Sequence, residues 1–168
     1  LKRFTLLAAI ALLAACATPP PGASGPAAKA VAAAPDKSEL ALWESPCYFS
    51  SCISYQMWLK PDGAYGLEKS GGARTGTLGP DAWARAKAAL AAAKFETMPT
   101  DLTIPALNKP GGTPCINDLP DVTFTLTSPD GTSRAVRWST GCAVPAARQL
   151  LDDLRKIYRF DELVKAPN

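Results

Sequence analysis

The residues best equipped for chemistry in this 168-residue chain are its five cysteines, and their spacing decides which chemistry is open to them. Cys16 stands alone at the end of an apolar N-terminal run. Cys47, Cys52, Cys115 and Cys142 form an even set, which in an oxidising compartment implies two disulfides. Four cysteines allow three pairings. The expected one joins Cys47 to Cys52, closing a short loop through Ser50 and Ser51, and Cys115 to Cys142, tying a long irregular loop to the start of a helix. A redox-active Cys47/Cys52 pair is the alternative, but Cys-x-x-x-x-Cys is not the Cys-x-x-Cys of thioredoxin-like proteins, and no βαβ pattern surrounds it. The chain has no histidine, which excludes Ser-His-Asp and Cys-His catalysis and the histidine-based zinc motifs. Gly71-Gly72 and Gly111-Gly112 lack the flanking pattern of a phosphate-cradling loop. No metal or cofactor is therefore expected. What remains is a small polar cluster, Asn117, Asp118 and Asp121, in a long irregular stretch from Pro99 to Pro120 and just beyond it. Two carboxylates there could hold a cation or move a proton. The plainer expectation is that Asp118 caps a turn and Asp121 starts a strand.

Behind Lys2 and Arg3, the run from Phe4 to Ala15 is too short to span a bilayer and has signal-peptide proportions. Its end, Leu13-Ala14-Ala15-Cys16, resembles the bacterial lipobox. The resemblance implies that residues 1–15 are a lipoprotein signal peptide and that Cys16 is acylated on its sulfur and becomes the mature N-terminus. Two or more acyl chains give stable membrane attachment where one gives only marginal binding. Ala17, in place of Asp, implies sorting to the periplasmic face of a Gram-negative outer membrane. Residues 16–37 are the lipidated cysteine and a tether of Ala, Pro and Gly with nothing to bury, in which Pro19, Pro20, Pro21 and Pro26 favour extended conformations. Residues 38–168 have the length of one globular domain. Without Lys2 and Arg3, 16 basic residues face 15 acidic ones, so no basic stripe points to nucleic acid.

Within the domain, Tyr55, Met57 and Leu59 alternate with Gln56 and Trp58, and Val122, Phe124 and Leu126 alternate with Thr123, Thr125 and Thr127. Each run leads to Pro-Asp-Gly, at 61–63 and 129–131, a sequence suited to a type I turn closed by a left-handed glycine. Return strands are expected near 64–69 and 134–140, with an earlier strand over about 40–44 at an edge or the centre. Pro80 and Pro145 can each occupy the first turn of a helix, predicting helices over 80–93 and 145–158. The second has an apolar stripe of Leu150, Leu151, Leu154, Ile157 and Tyr158, opposite Arg148, Asp152, Arg155 and Arg159. The expected fold is α+β: two layers, an antiparallel sheet of about five strands with two helices on one face, and a candidate pseudo-repeat of hairpin plus helix. Trp58 then stands on the open face and is the candidate partner-binding residue; alternatively it or Trp138 completes a core.

The segment Cys47-Tyr48-Phe49-Ser50-Ser51-Cys52-Ile53-Ser54-Tyr55, followed by a strand and Asp62-Gly63, resembles a bacterial envelope family known as domain of unknown function 6438. That family shows Cys-aromatic-Gly-x-Cys-Pro-x-Tyr, a strand with an Asp-Gly turn, a helix, and a second hairpin with a closing helix. The resemblance spans about residues 38–163. Here the cysteine interval is one residue longer, Ser or Phe stands where Gly is usual, and Ile53 replaces proline. It implies the fold and carries no activity. The expectation is a lipid-anchored, non-catalytic module that binds an envelope protein, with thiol-disulfide chemistry at Cys47/Cys52 as the alternative. Alkylation followed by intact mass separates them: a structural Cys47–Cys52 pair should resist mild reductant, whereas a redox pair should open and take up two labels.

Overall fold

The computed structural model describes residues 35–46 and 53–164. Cys16, Cys47, Cys52, the signal segment and almost all of the tether lie outside the described residues. The chain runs β1 (Glu39–Glu44), β2 (Tyr55–Leu59), β3 (Ala64–Lys69), β4 (Gly72–Thr77), α1 (Ala82–Ala92), a 3-10 turn (Phe95–Thr97), β5 (Asp101–Leu102), α2 (Ile104–Leu107), β6 (Asp121–Thr127), β7 (Ser133–Ser139), α3 (Pro145–Ile157) and α4 (Phe160–Leu163). The fold is α+β, as expected. The count of about five antiparallel strands and two helices is corrected: one mixed sheet of seven strands has the order β4-β3-β2-β1-β6-β7-β5, with β5 parallel to β7, and four α-helical segments accompany it. The strands that pattern reading misses have no apolar alternation to reveal them. β4 is Gly-Ala-Arg-Thr-Gly-Thr at an edge, and β5 is two residues long.

β1 is the centre. Leu42 lies opposite Met57 on one side and Phe124 on the other, and Leu40 opposite Leu59 and Leu126. Side chains alternate across a strand, so these residues share one face. Leu40, Leu42, Met57, Leu59, Leu67, Phe124, Val136 and Trp138 are fully buried there, in one core with Ala86 and Leu90 of α1 and Leu150 and Leu154 of α3. Trp138 is thus a core residue, its indole N–H donating to the Cys142 carbonyl at 3.1 Å. The Tyr158 hydroxyl, also buried, donates to the Leu40 carbonyl at 2.9 Å and fastens the end of α3 to the central strand. Burial holds that phenol far above its ordinary pKa.

The two Pro-Asp-Gly turns are equivalent bond for bond. Gly63 and Gly131 take φ of 82° and 92°; their N–H groups donate to Lys60 and Ser128, while Asp62 and Asp130 accept from the backbone N–H of Ala64 and Thr132. The pseudo-repeat nevertheless stops at the turns. Aligned on Pro-Asp-Gly, inward Met57 and Leu59 fall on outward Thr125 and Thr127. The hairpins flank β1 on opposite sides with β2 and β6 running the same way. Superposing one on the other is a half-turn about the strand direction, which exchanges the faces. Shared turn chemistry, rather than a repeated packing unit, accounts for the likeness.

Both long helices form where expected and both end on a left-handed basic residue, Lys94 (φ 54°) and Arg159 (φ 52°). The expectation that Arg148 and Arg155 face solvent is corrected. Arg148 lies over the Trp138 ring at 5.1 Å and donates to the Thr140 carbonyl at 2.7 Å. Arg155 donates to Glu44 Oε2 at 2.6 Å and lies 4.7 Å from the Phe160 ring. Glu44, 7% exposed, occupies the inward register of β1, and the Tyr55 phenol beside it is pushed above its usual range by burial and by the Glu44 charge. Removing one partner of such a pair leaves a charge stranded. Glu44→Ala should cost about 2–4 kcal/mol in urea unfolding, whereas Glu44→Leu/Arg155→Leu should regain most of that loss; equal losses would show that the pair does not act as a unit.

Candidate functional site

The long stretch before β6 is held by the pairing of Cys115 and Cys142, whose sulfurs are at disulfide distance, 2.07 Å. This is the expected partner choice for those two cysteines. The backbone zips beside it: the Ile116 N–H donates to the Gly141 carbonyl at 3.0 Å, and the Ala143 N–H donates to Pro114 at 3.2 Å. A Cβ on Gly141 would meet the Ile116 carbonyl oxygen at 2.0 Å, so glycine is required by close approach rather than by its φ. Cross-linking residues 27 apart stabilises by about 3–4 kcal/mol in the loop-entropy model.

Fixed in this way, the loop brings Asn117, Asp118 and Asp121 to one pocket of about 490 Å³ at the end of the sheet, with Ser45, Arg137 and Ser139. Sequence proximity pointed to the first three. Arg137, Ser45 and Ser139 come from β7 and from the ends of β1 and β7, and nothing local in the sequence ties them to Asp121. Asp121 is committed to structure. Its Oδ2 accepts from Arg137 Nε at 3.0 Å and also from Nη2, its Oδ1 accepts from the Ser139 hydroxyl at 2.6 Å, and its N–H donates to Ser45 Oγ at 2.9 Å. With both oxygens engaged it starts the strand, as the plainer expectation held. Asp118 is exposed and left-handed, φ 67°, at a bend before β6. Asn117 is exposed beside it. Thr103, which lines the pocket, donates its hydroxyl to Asp101 at 2.6 Å and its N–H at 3.0 Å, which together hold the Asp101 carboxyl below the usual range, the hydroxyl most. Among the described residues no three His, Cys, Asp or Glu side chains gather to hold a metal ion.

Apolar residues surround the same end of the sheet. Among the described residues, the large hydrophobic side chains left exposed are Trp43, Ile53, Ile116 and Leu119. Trp43 is one residue from the end of β1, Ile53 precedes β2, and Ile116 and Leu119 precede β6; β1, β2 and β6 are adjacent, and these ends coincide. Pro46 and Ile53, which flank the Cys47–Cys52 segment, belong to this end too. Trp58 is on the open face, as expected, but only half-exposed: a Cβ on Gly66, its partner across the ladder, would fall 2.0 Å from the indole, so the ring lies over that glycine. Trp43, on the same face and diagonal to Trp58 across β1 and β2, is 39% exposed and is the tryptophan that sequence reading misses. The signal was there in the alternation of Leu40 and Leu42, which puts residue 43 outward; an acid at 44 on the inward side conceals it.

Comparison of the chain with protein-family models, with curated proteins and with solved structures finds no match. The site is therefore read from its own residues.

The two carboxylates of the pocket should differ in their response to mutation. Asp121→Ala should lower stability by about 1–3 kcal/mol, since it removes three side-chain hydrogen-bond acceptances. Asp118→Gly should stay within about 1 kcal/mol of the parent, because glycine relieves the left-handed backbone while loosening the unfolded chain. Urea midpoints check both, and a larger loss at Asp118 than at Asp121 would reverse the assignment.

Proposed function

We propose that this domain is a non-catalytic binding module, lipid-anchored through Cys16 at the periplasmic face of the outer membrane, which captures an envelope protein with the end of its sheet. One observation carries the reading: Trp43, Ile53, Ile116 and Leu119 remain exposed at the same end, where Leu119 lines a pocket together with Asn117, Asp118, Asp121 and Arg137. Scattered exposed apolar residues need no explanation, but a cluster rimmed by polar groups is the usual composition of a protein-binding surface. Trp43 is suited to the role of anchor and Trp58 to that of its flat neighbour, since large aromatic side chains dominate interface energies. The carboxylates are less suited to catalysis. Asp121 is spent on Arg137 and Ser139, and Asp118 is a lone exposed acid.

Photo-crosslinking in the envelope tests this directly, with the photoreactive residue at Trp43, Trp58 or Asp152, an exposed position on α3. A discrete protein should be captured from Trp43, and more weakly from Trp58, but not from Asp152. Capture should fall when Cys16→Ser releases the chain from the membrane. Equal labelling from all three positions, or none from Trp43, would remove the proposal.

A further inference from the structure

α1 carries a second surface, at the other end of β6 from Asp121. Trp83, Lys87, Leu90, Ala91 and Lys94 follow one another at offsets of 4, 7, 8 and 11 residues, which places them along one side of the helix and its end. This stripe borders two grooves of about 490 and 350 Å³ that share Lys87 and Leu126, so they adjoin. The larger is lined by half-buried Leu126 and by the edges of Leu90 and Phe95, which are otherwise buried, with Arg134 over the Phe95 ring and Lys87 and Lys94 about 10 Å apart along the rim. Both lysines are exposed, and among the described residues no carboxylate pairs with either. Glu96 is the only acid in that lining, so positive charge prevails there two to one. Trp83 and the turn at Ser128 and Pro129 extend the trough away from Lys94, and the acid of this second groove, Asp36, lies beyond Lys87 and outside the lining shared with Lys94.

An apolar trough with unpaired cations on its rim is complementary to a ligand with an apolar body and one anionic end. We propose that this groove binds a medium-chain fatty carboxylate, its chain along Leu126 above the edges of Leu90 and Phe95 and its carboxylate between Lys87 and Lys94. The volumes fall in the range of small-molecule pockets. Each methylene that enters the trough should improve affinity about fourfold. The two lysines set the choice of head group: a carboxylate gains their field, an alcohol of equal length does not. The groove is separate from the sheet-end surface, and neither depends on the other.

The test is a fluorescence titration of the full chain with a dansyl-labelled undecanoate, displaced by octanoate, laurate or dodecanol. Saturable one-to-one binding is expected, with laurate stronger than octanoate. Lys87→Gln/Lys94→Gln should weaken laurate at least tenfold and change dodecanol by less than twofold. Lys109→Gln, which removes a positive charge elsewhere, should change neither. Ala91→Trp, at an exposed position facing the trough, should abolish uptake of both while leaving the thermal midpoint in place. No saturable binding to the parent chain, laurate affinity unmoved by the double lysine change, an equal loss in Lys109→Gln, or full binding in Ala91→Trp would each overturn the proposal.

Discussion

A single short strand bears the constraint on which the domain depends. β1 pairs with β2 on one side and β6 on the other over nearly its whole length, and its Leu40 and Leu42 are fully buried. The sheet is continuous only because β1 joins two hairpins that have no contact of their own in the strand order. Its register also fixes which face is inward: a slip of one residue would bring Ala41 and Trp43 into the core and expel both leucines. The hydrogen bond from buried Tyr158 to Leu40 and the Arg155–Glu44 pair tie the last long helix to the same strand. One apolar register and two polar contacts thus join the first strand of the domain to its last long helix.

Burial sorts the charged groups into roles. Glu44 and Asp121 are both paired with arginines, yet their settings differ. Glu44 is inward and covered, so its partner Arg155 is held by an acid, an aromatic face and burial together. Asp121 lies on the open face at the sheet end, where Arg137 remains largely exposed and the pair acts mostly as an organiser of hydroxyls. Exposed pairs of that kind contribute little alone; the value lies in the three contacts made by one carboxylate. The Cys115–Cys142 crosslink then presents the loop as a fixed surface.

One face of the sheet carries the buried side chains of the core and the other carries Trp43 and Trp58, and the two proposed surfaces lie toward opposite ends of β6. At the end where β1, β2 and β6 meet, the open face keeps Trp43 and its apolar neighbours. Along α1, many alanines keep the helix thin, and the trough beside it lies over the edges of Leu90 and Phe95 of the core. Trp58 shows how register modifies exposure: set against Gly66, the ring folds over the ladder instead of standing from it.

Local chemistry made part of this legible in the sequence. The Pro-Asp-Gly turns, the proline start of α3, the alternation of β2 and β6 and the amphipathic stripe of α3 each depend on residues within a few positions of one another. The Cys115–Cys142 partnership was one of the pairings that the even set of cysteines left open. Tertiary structure alone decided the rest. The central place of β1, the edge strand β4, the inward Glu44, the Arg137 and Ser139 partners of Asp121, and the trough between α1 and Leu126 all arise where distant segments meet. The sequence repeat around the turns shows the limit most clearly: the same local grammar serves two hairpins whose buried faces are opposite, because the side on which each joins β1 is a property of the assembled sheet.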